Sequence, residues 1–142
     1  MFCQGEQYVS RSQGLEGSQV NYKLSNVRVF VTDWARAIRF YTDTLEMAVA
    51  YRSDEIGWAQ MATGESHLAL ERVDASDSEG RALVGRFLGI SLQVADIFAT
   101  HKFLAARGVE FVAFPEKQPW SGVLAHLRDP DGNILTLVGS GE

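Results

Sequence analysis

His67, Glu71 and His126 are the side chains of this 142-residue sequence best equipped to ligate a metal or move a proton. Imidazole and carboxylate do both jobs in proteins. No nucleophile–base pair is evident in their spacing. Arg28, inside an alternating apolar run, is the cation best placed to hold an anion, because an enclosed guanidinium needs a carboxylate or another anionic partner. Trp58 and Trp120 add large planar faces, which either stack on a ligand or plug the ends of hairpins. His101 falls in the middle of a helical stretch and is expected to serve its surface or packing. The lone Cys3 has no partner thiol for a disulfide or a metal knuckle.

Composition narrows what such residues can be used for. The length is that of one domain able to bury a real core without staples, and 46% hydrophobic with 22% charged residues is ordinary for a globular chain. A net charge of −5, with arginines and lysines scattered singly, argues against a nucleic-acid partner. No segment approaches the roughly 20 apolar residues of a membrane span, so no membrane partner is expected. Met1 to Asn21 lack a basic n-region and an apolar h-region and do not read as a signal peptide. With one cysteine, a reducing, cytoplasmic setting is expected.

The elements that must position these side chains come twice. Residues 1–21 are polar and rich in Gly, Gln and Ser, and read as a loosely held N-terminal extension. From Tyr22 the grammar sharpens. Val27, Val29 and Val31 alternate with Asn26, Arg28 and Phe30, which is a strand with one oily face. Asp33 then caps a helix through Trp34, Ala37, Ile38, Tyr41 and Leu45. Three strands follow at Met47–Ser53, Gly57–Ala62 and His67–Arg72, the last two joined by the turn at residues 63–66. Residues 73–85 read as a linker. A second round begins with Ile90, Leu92 and Val94 alternating with Ser91 and Gln93, then a helix capped by Asp96 and ended at Gly108. Val109–Phe114 is expected to be a strand, residues 115–119 a loop, and Trp120–Arg128 a strand. The Asp129–Gly132 turn leads into a closing strand at Ile134–Val138. Val31-Thr32-Asp33 matches Val94-Ala95-Asp96 at an offset of 63 residues, and Phe40 matches Phe103 at the same offset, which reads as a duplication.

At this point the residues resemble a known superfamily. NVRVFVTDWARAIRFYTDTLEM is similar to the opening module of the vicinal oxygen chelate (glyoxalase/bleomycin-resistance/dioxygenase-like) proteins, and PWSGVLAHLRDPDGNILTLV to their closing hairpin. GWAQMATGESHLALER resembles the third and fourth strands of their first module. The resemblance covers about residues 22–138. It implies an α+β fold of two tandem βαβββ modules, 22–72 and 86–142, whose curved mixed sheets form a cup. It also implies a homodimer, since many members pair modules within or across chains. Metal-dependent members hold their ion with a His on the first strand and a Glu on the last strand of each module. Carried over, those positions are Asn26, Ala69 (with Glu71 on the same face), Gly89 and Thr136. At least three of the four ligands are missing, so the expectation is no metal and no other cofactor. A replacement site built from His67, Glu71 and His126 is the chemical alternative; otherwise each bonds singly to a ligand or water.

Strand alternation names the expected cup lining: Asn26, Arg28 and Phe30; His67, Ala69 and Glu71; Ser91, Gln93 and Thr136, with His126 on a neighbouring strand and Trp58 and Trp120 at the hairpin rims. Arg28 pairs there with either Glu71 or an anionic group on a ligand. The lining suits an aromatic or amphipathic small molecule, an anion among them. Two functions follow from the resemblance. One is metal-independent sequestration of a small molecule, as in the bleomycin-resistance (antibiotic-resistance) branch. The other is a superfamily enzyme, such as a lyase, isomerase or dioxygenase, working through a non-standard metal site or through His/Glu acid–base chemistry.

Overall fold

The computed structural model describes residues 20–140; residues 1–19, most of the expected N-terminal extension with Cys3, lie outside the described residues. The first half folds as β1 (Asn26–Val31), α1 (Trp34–Arg39), β2 (Val49–Ser53), β3 (Trp58–Ala62) and β4 (His67–Arg72). Asp33 caps α1 by accepting from the Arg36 amide at 3.3 Å. The expected single helix over 34–45 changes pitch: Phe40–Thr44 is a π-helical turn. The Leu45 amide reaches back five residues to the Phe40 carbonyl at 2.8 Å, and the Thr42 hydroxyl occupies the Ile38 carbonyl at 2.7 Å.

The second half repeats the plan with β5 (Phe87–Gln93), a longer helix at Ile97–Ala106, and β6 (Glu110–Phe111), β7 (Glu116–Lys117), β8 (Gly122–Arg128) and β9 (Ile134–Ser140). Asp96 caps that helix on the Ala99 amide at 3.0 Å. Four expectations need correction. The linker at 73–85 contains a short helix, α2 (Ser78–Arg81), started by Asp77 accepting from the Glu79 amide; the Ile97–Ala106 helix is therefore α3. The strand expected at Val109–Phe114 is only two residues long, and the loop expected at 115–119 pairs with β8 as β7. Trp120 lies outside β8, because Ser121 takes a positive φ of 78° and breaks the extended run.

Each half forms one mixed sheet. The first has order β1-β4-β3-β2 and the second β5-β9-β8-β6, with β7 also on β8. In both, the strand before the helix runs parallel to the last strand of its module, Val27 beside Leu68 and Leu92 beside Leu137. Alternation then decides the core. Val29, Val31, Leu68 and Leu70 from one sheet, and Val123, Leu127, Leu135 and Leu137 from the other, join Ile38, Tyr41, Ile97 and Leu104 of the helices in a single apolar cluster. The opposite faces of the sheets are left to carry polar groups.

The Asp129–Asn133 turn fastens the halves together. Asn133 is fully buried; its amide donates to the Phe30 carbonyl at 2.9 Å and its side-chain oxygen accepts from Gly85 at 2.7 Å. Asp131 accepts from the Thr32 amide and hydroxyl at 3.1 and 2.6 Å. Asp129 accepts from the Tyr41 phenol at 2.7 Å and from the Asn133 side chain at 2.9 Å. Among the described residues no helix is long and apolar enough to cross a membrane.

Candidate functional site

Strand pairing sets the rows of the first open face, since directly opposed residues share a face. Asn26, His67 and Ala62 make one row. Arg28, Ala69, Gln60 and Tyr51 make the next, and Phe30, Glu71, Trp58 and Ser53 the third. The structure thus brings together the expected residues Asn26, Arg28, Phe30, Trp58, His67 and Glu71 on one surface. Gln60 and Tyr51 belong to it as well. Alternation outward from Trp58 locates Gln60. Tyr51 follows by the same alternation from Ser53, because the β2–β3 register slips only beyond it, between Val49 and Tyr51.

Arg28, Glu71, Gln60 and His67 on this face have protein partners. Arg28 Nη1 lies 3.0 Å from Glu71 Oε1, and its guanidinium stands 5.3 Å over the Phe30 ring. The internal pair therefore forms; with Arg28 nearly half exposed, it contributes on the order of 0–1 kcal/mol. His67 Nδ1 and the Gln60 side-chain amide are 3.2 Å apart.

On the second open face, Ser91, Thr136 and His126 form one row. The buried Thr136 hydroxyl meets His126 Nδ1 at 2.8 Å, and Phe87 packs edge-on to the imidazole at 5.5 Å between centroids. Gln93 and Ser91 are exposed. Trp120 is 61% exposed and its six-membered ring lies over Gly122, where a Cβ would collide with it. It is a rim residue with a specific seat. His101 touches the Phe111 and Phe114 rings, at 4.4 and 5.6 Å, which is packing.

The two faces approach each other at the seam between β1 and β5. A cavity of about 460 Å³ opens there, lined by Arg28 and Phe30 from one side and by Arg86 and Phe87 from the other. Arg86 and Phe87 carried no signal in the sequence. Gly89 takes a φ of 69°, and the β5–β9 register shifts between Phe87 and Ser91, so alternation cannot be extended back from Ser91.

The donor set decides whether the superfamily's metal fits. Ala69 and Gly89 have no donor atom, Asn26 offers an amide, and the Thr136 hydroxyl is engaged by His126. A divalent ion asking for imidazole and carboxylate finds neither at the four positions. Nor does a substitute form: among the described residues no three His, Cys, Asp or Glu side chains are grouped as a metal needs. His67 and Glu71 lie at opposite ends of β4 and His126 on the other sheet, so the His67/Glu71/His126 alternative is not assembled.

Comparison with known proteins agrees with this architecture. The uncharacterized Bacillus subtilis protein YraH is 28% identical over 124 residues, spanning 81% of this chain and 96% of its own. A Sphaerobacter thermophilus member of the glyoxalase/bleomycin resistance protein/dioxygenase superfamily superposes with a TM-score of 0.73 at 28% identity, covering 85% of this chain and 98% of that one. TnmS3, an antibiotic binding protein from a Streptomyces species, superposes with a TM-score of 0.68 at 27% identity, covering 86% and 98%. Residues 23–137 match the model of the Glyoxalase/Bleomycin resistance protein/Dioxygenase superfamily, and the chain belongs to that superfamily.

Proposed function

We propose that this protein is a metal-independent small-molecule binder that sequesters an aromatic or amphipathic compound on the open faces of its sheets. The observation that carries the reading is the donor set: Asn26, Ala69, Gly89 and Thr136 stand where metal-dependent members place imidazole and carboxylate. Lewis-acid chemistry has no residues to anchor it at that position. What the faces do offer is aromatic surface from Phe30, Trp58, Tyr51 and Phe87, with polar groups from Gln60, His67 and Ser91 between them. Apolar area with a few oriented hydrogen-bonding groups is how ligand pockets combine affinity with orientation. The likeness to TnmS3, an antibiotic binding protein, supports binding as the shared task.

Trp58 and Trp120 make the reading testable. Tryptophan fluorescence of the purified protein is titrated with a panel of aromatic antibiotics and small anionic metabolites, with and without chelator, beside elemental analysis. The expected result is saturable quenching by at least one compound, with an affinity that chelator leaves unchanged and no stoichiometric divalent metal. One tightly held Mn, Ni, Zn or Fe per chain, or loss of affinity on chelation, would overturn it.

A further inference from the structure

We infer that the seam between β1 and β5 is a subsite for a singly charged aromatic anion, in which Arg86 reads the charge and Phe30 and Phe87 hold the ring. The inference rests on the small-molecule-binding reading and adds a ligand class to it. At about 460 Å³ the seam cavity falls within the roughly 300–1,000 Å³ of ordinary ligand pockets. Among the described residues, the ionisable groups lining it are two guanidiniums, those of Arg28 and Arg86. The two do not carry the same net charge into the cavity. Arg28 is bonded to the Glu71 carboxylate at 3.0 Å, so its charge is already balanced from one strand away. Among the described residues no carboxylate pairs with Arg86, so the uncompensated unit of positive charge lining the seam is that of Arg86, on the opposite wall.

The remaining lining matches a ring. Phe87 is 60% exposed although it begins a strand, which leaves a large aromatic surface without a full apolar cover. Phe30 faces the same space, and Val27, Leu88 and Ile90 supply apolar floor. A planar anion satisfies both halves of this arrangement at once, burying its ring between the phenyls while its charged oxygens take the guanidinium fork. A dianion would have to draw Arg28 away from Glu71. A neutral ring would gain only the aromatic contacts.

The test uses two fluorescent probes of nearly equal shape, anionic anilinonaphthalenesulfonate and neutral N-phenylnaphthylamine, titrated into the full chain. The sulfonate should bind more tightly than the neutral probe. Arg86→Gln should weaken the sulfonate about tenfold, the size of one charge-assisted contact, and leave the neutral probe within about twofold. Glu71→Gln, which unbalances Arg28, should tighten the sulfonate by about threefold or more, a gain that misfolding cannot imitate. No sulfonate binding, equal binding of both probes, or sulfonate affinity unmoved by both substitutions would overturn the inference. Failure here is distinguishable from failure of the parent reading. A neutral compound that quenches tryptophan saturably, with no charge dependence at the seam, sinks the anion subsite and leaves the binding function standing. Charge-dependent sulfonate binding with no quencher in the panel does the reverse.

Discussion

Asp129 is a carboxyl group held in an environment that disfavours its charge. It is 5% exposed, and burial raises its carboxyl above the ordinary carboxylate range even though Asn133, Tyr41 and two backbone amides donate to it. The same burial, with the carboxylate next to it, pushes the Tyr41 phenol well up. The sign for stability follows from linkage. With the folded-state value raised, the native state holds the proton more tightly than the unfolded chain. Its contribution is fully present below the usual carboxylate value and is lost as pH rises through the raised one. Asp129→Asn should remove that downward slope, which urea unfolding between about pH 4 and 7 would measure against wild type. An unchanged slope would mean that the donors fully offset desolvation, and a slope steepened downward in the variant would mean that they outweigh it. Tyr41→Phe should cost about 1–3 kcal/mol in the same assay, since it strips a donor from a buried acceptor. The sequence marked Tyr41 as a core-facing helix residue and Asp129 as a turn residue. Their 2.7 Å contact spans 88 positions and no local pattern contains it.

At the level of elements, strand alternation and helix capping were readable where the backbone is regular. Asp33 and Asp96 cap as expected because a carboxylate before an amphipathic run has free amides within reach. Regularity fails at the bulges, and two residues of the candidate surface border them. Tyr51 and Phe87 each follow or precede a register shift. The turn before β8 is a further case. Ser121 adopts a positive φ and Gly122 leaves room for the Trp120 ring. Gly122→Ala should drive that ring off its seat, destabilise the hairpin by about 1–3 kcal/mol as overpacking does, and change the tryptophan emission. A variant with wild-type emission and stability would show that the ring does not need the seat.

Across the whole molecule, the two halves share one core, and the buried part of their polar fastening is in the Asp129–Asn133 turn, with Arg107 adding exposed contacts to Asp43 and Glu46. Asn133 by itself bonds Phe30 near the end of β1, Gly85 ahead of β5, and Asp129. Asn133→Ala should cost about 2–4 kcal/mol, because three partners, the buried Asp129 among them, lose their bonds at once. Hydrogen exchange should report it: the Gly85 amide should lose protection more than amides in the centre of β8. Uniform loss across both sheets would mean that the turn supports the fold globally and does not specifically join the halves.

By itself the sequence determined the two βαβββ rounds, which residues face the core, and that Asn26, Gly89 and Thr136 stand at three of the four positions where the resemblance puts metal ligands. Each of these depends on residue type and on a period of two or about 3.6, and such information is local. Only the tertiary structure decided that Arg28 is balanced by Glu71, that His67, Glu71 and His126 do not converge, and that Arg86 and Phe87 face Phe30 across the seam. Those outcomes depend on strand register and on how the two halves dock. Register changes at a single bulge, and docking is set by contacts between residues far apart in the chain.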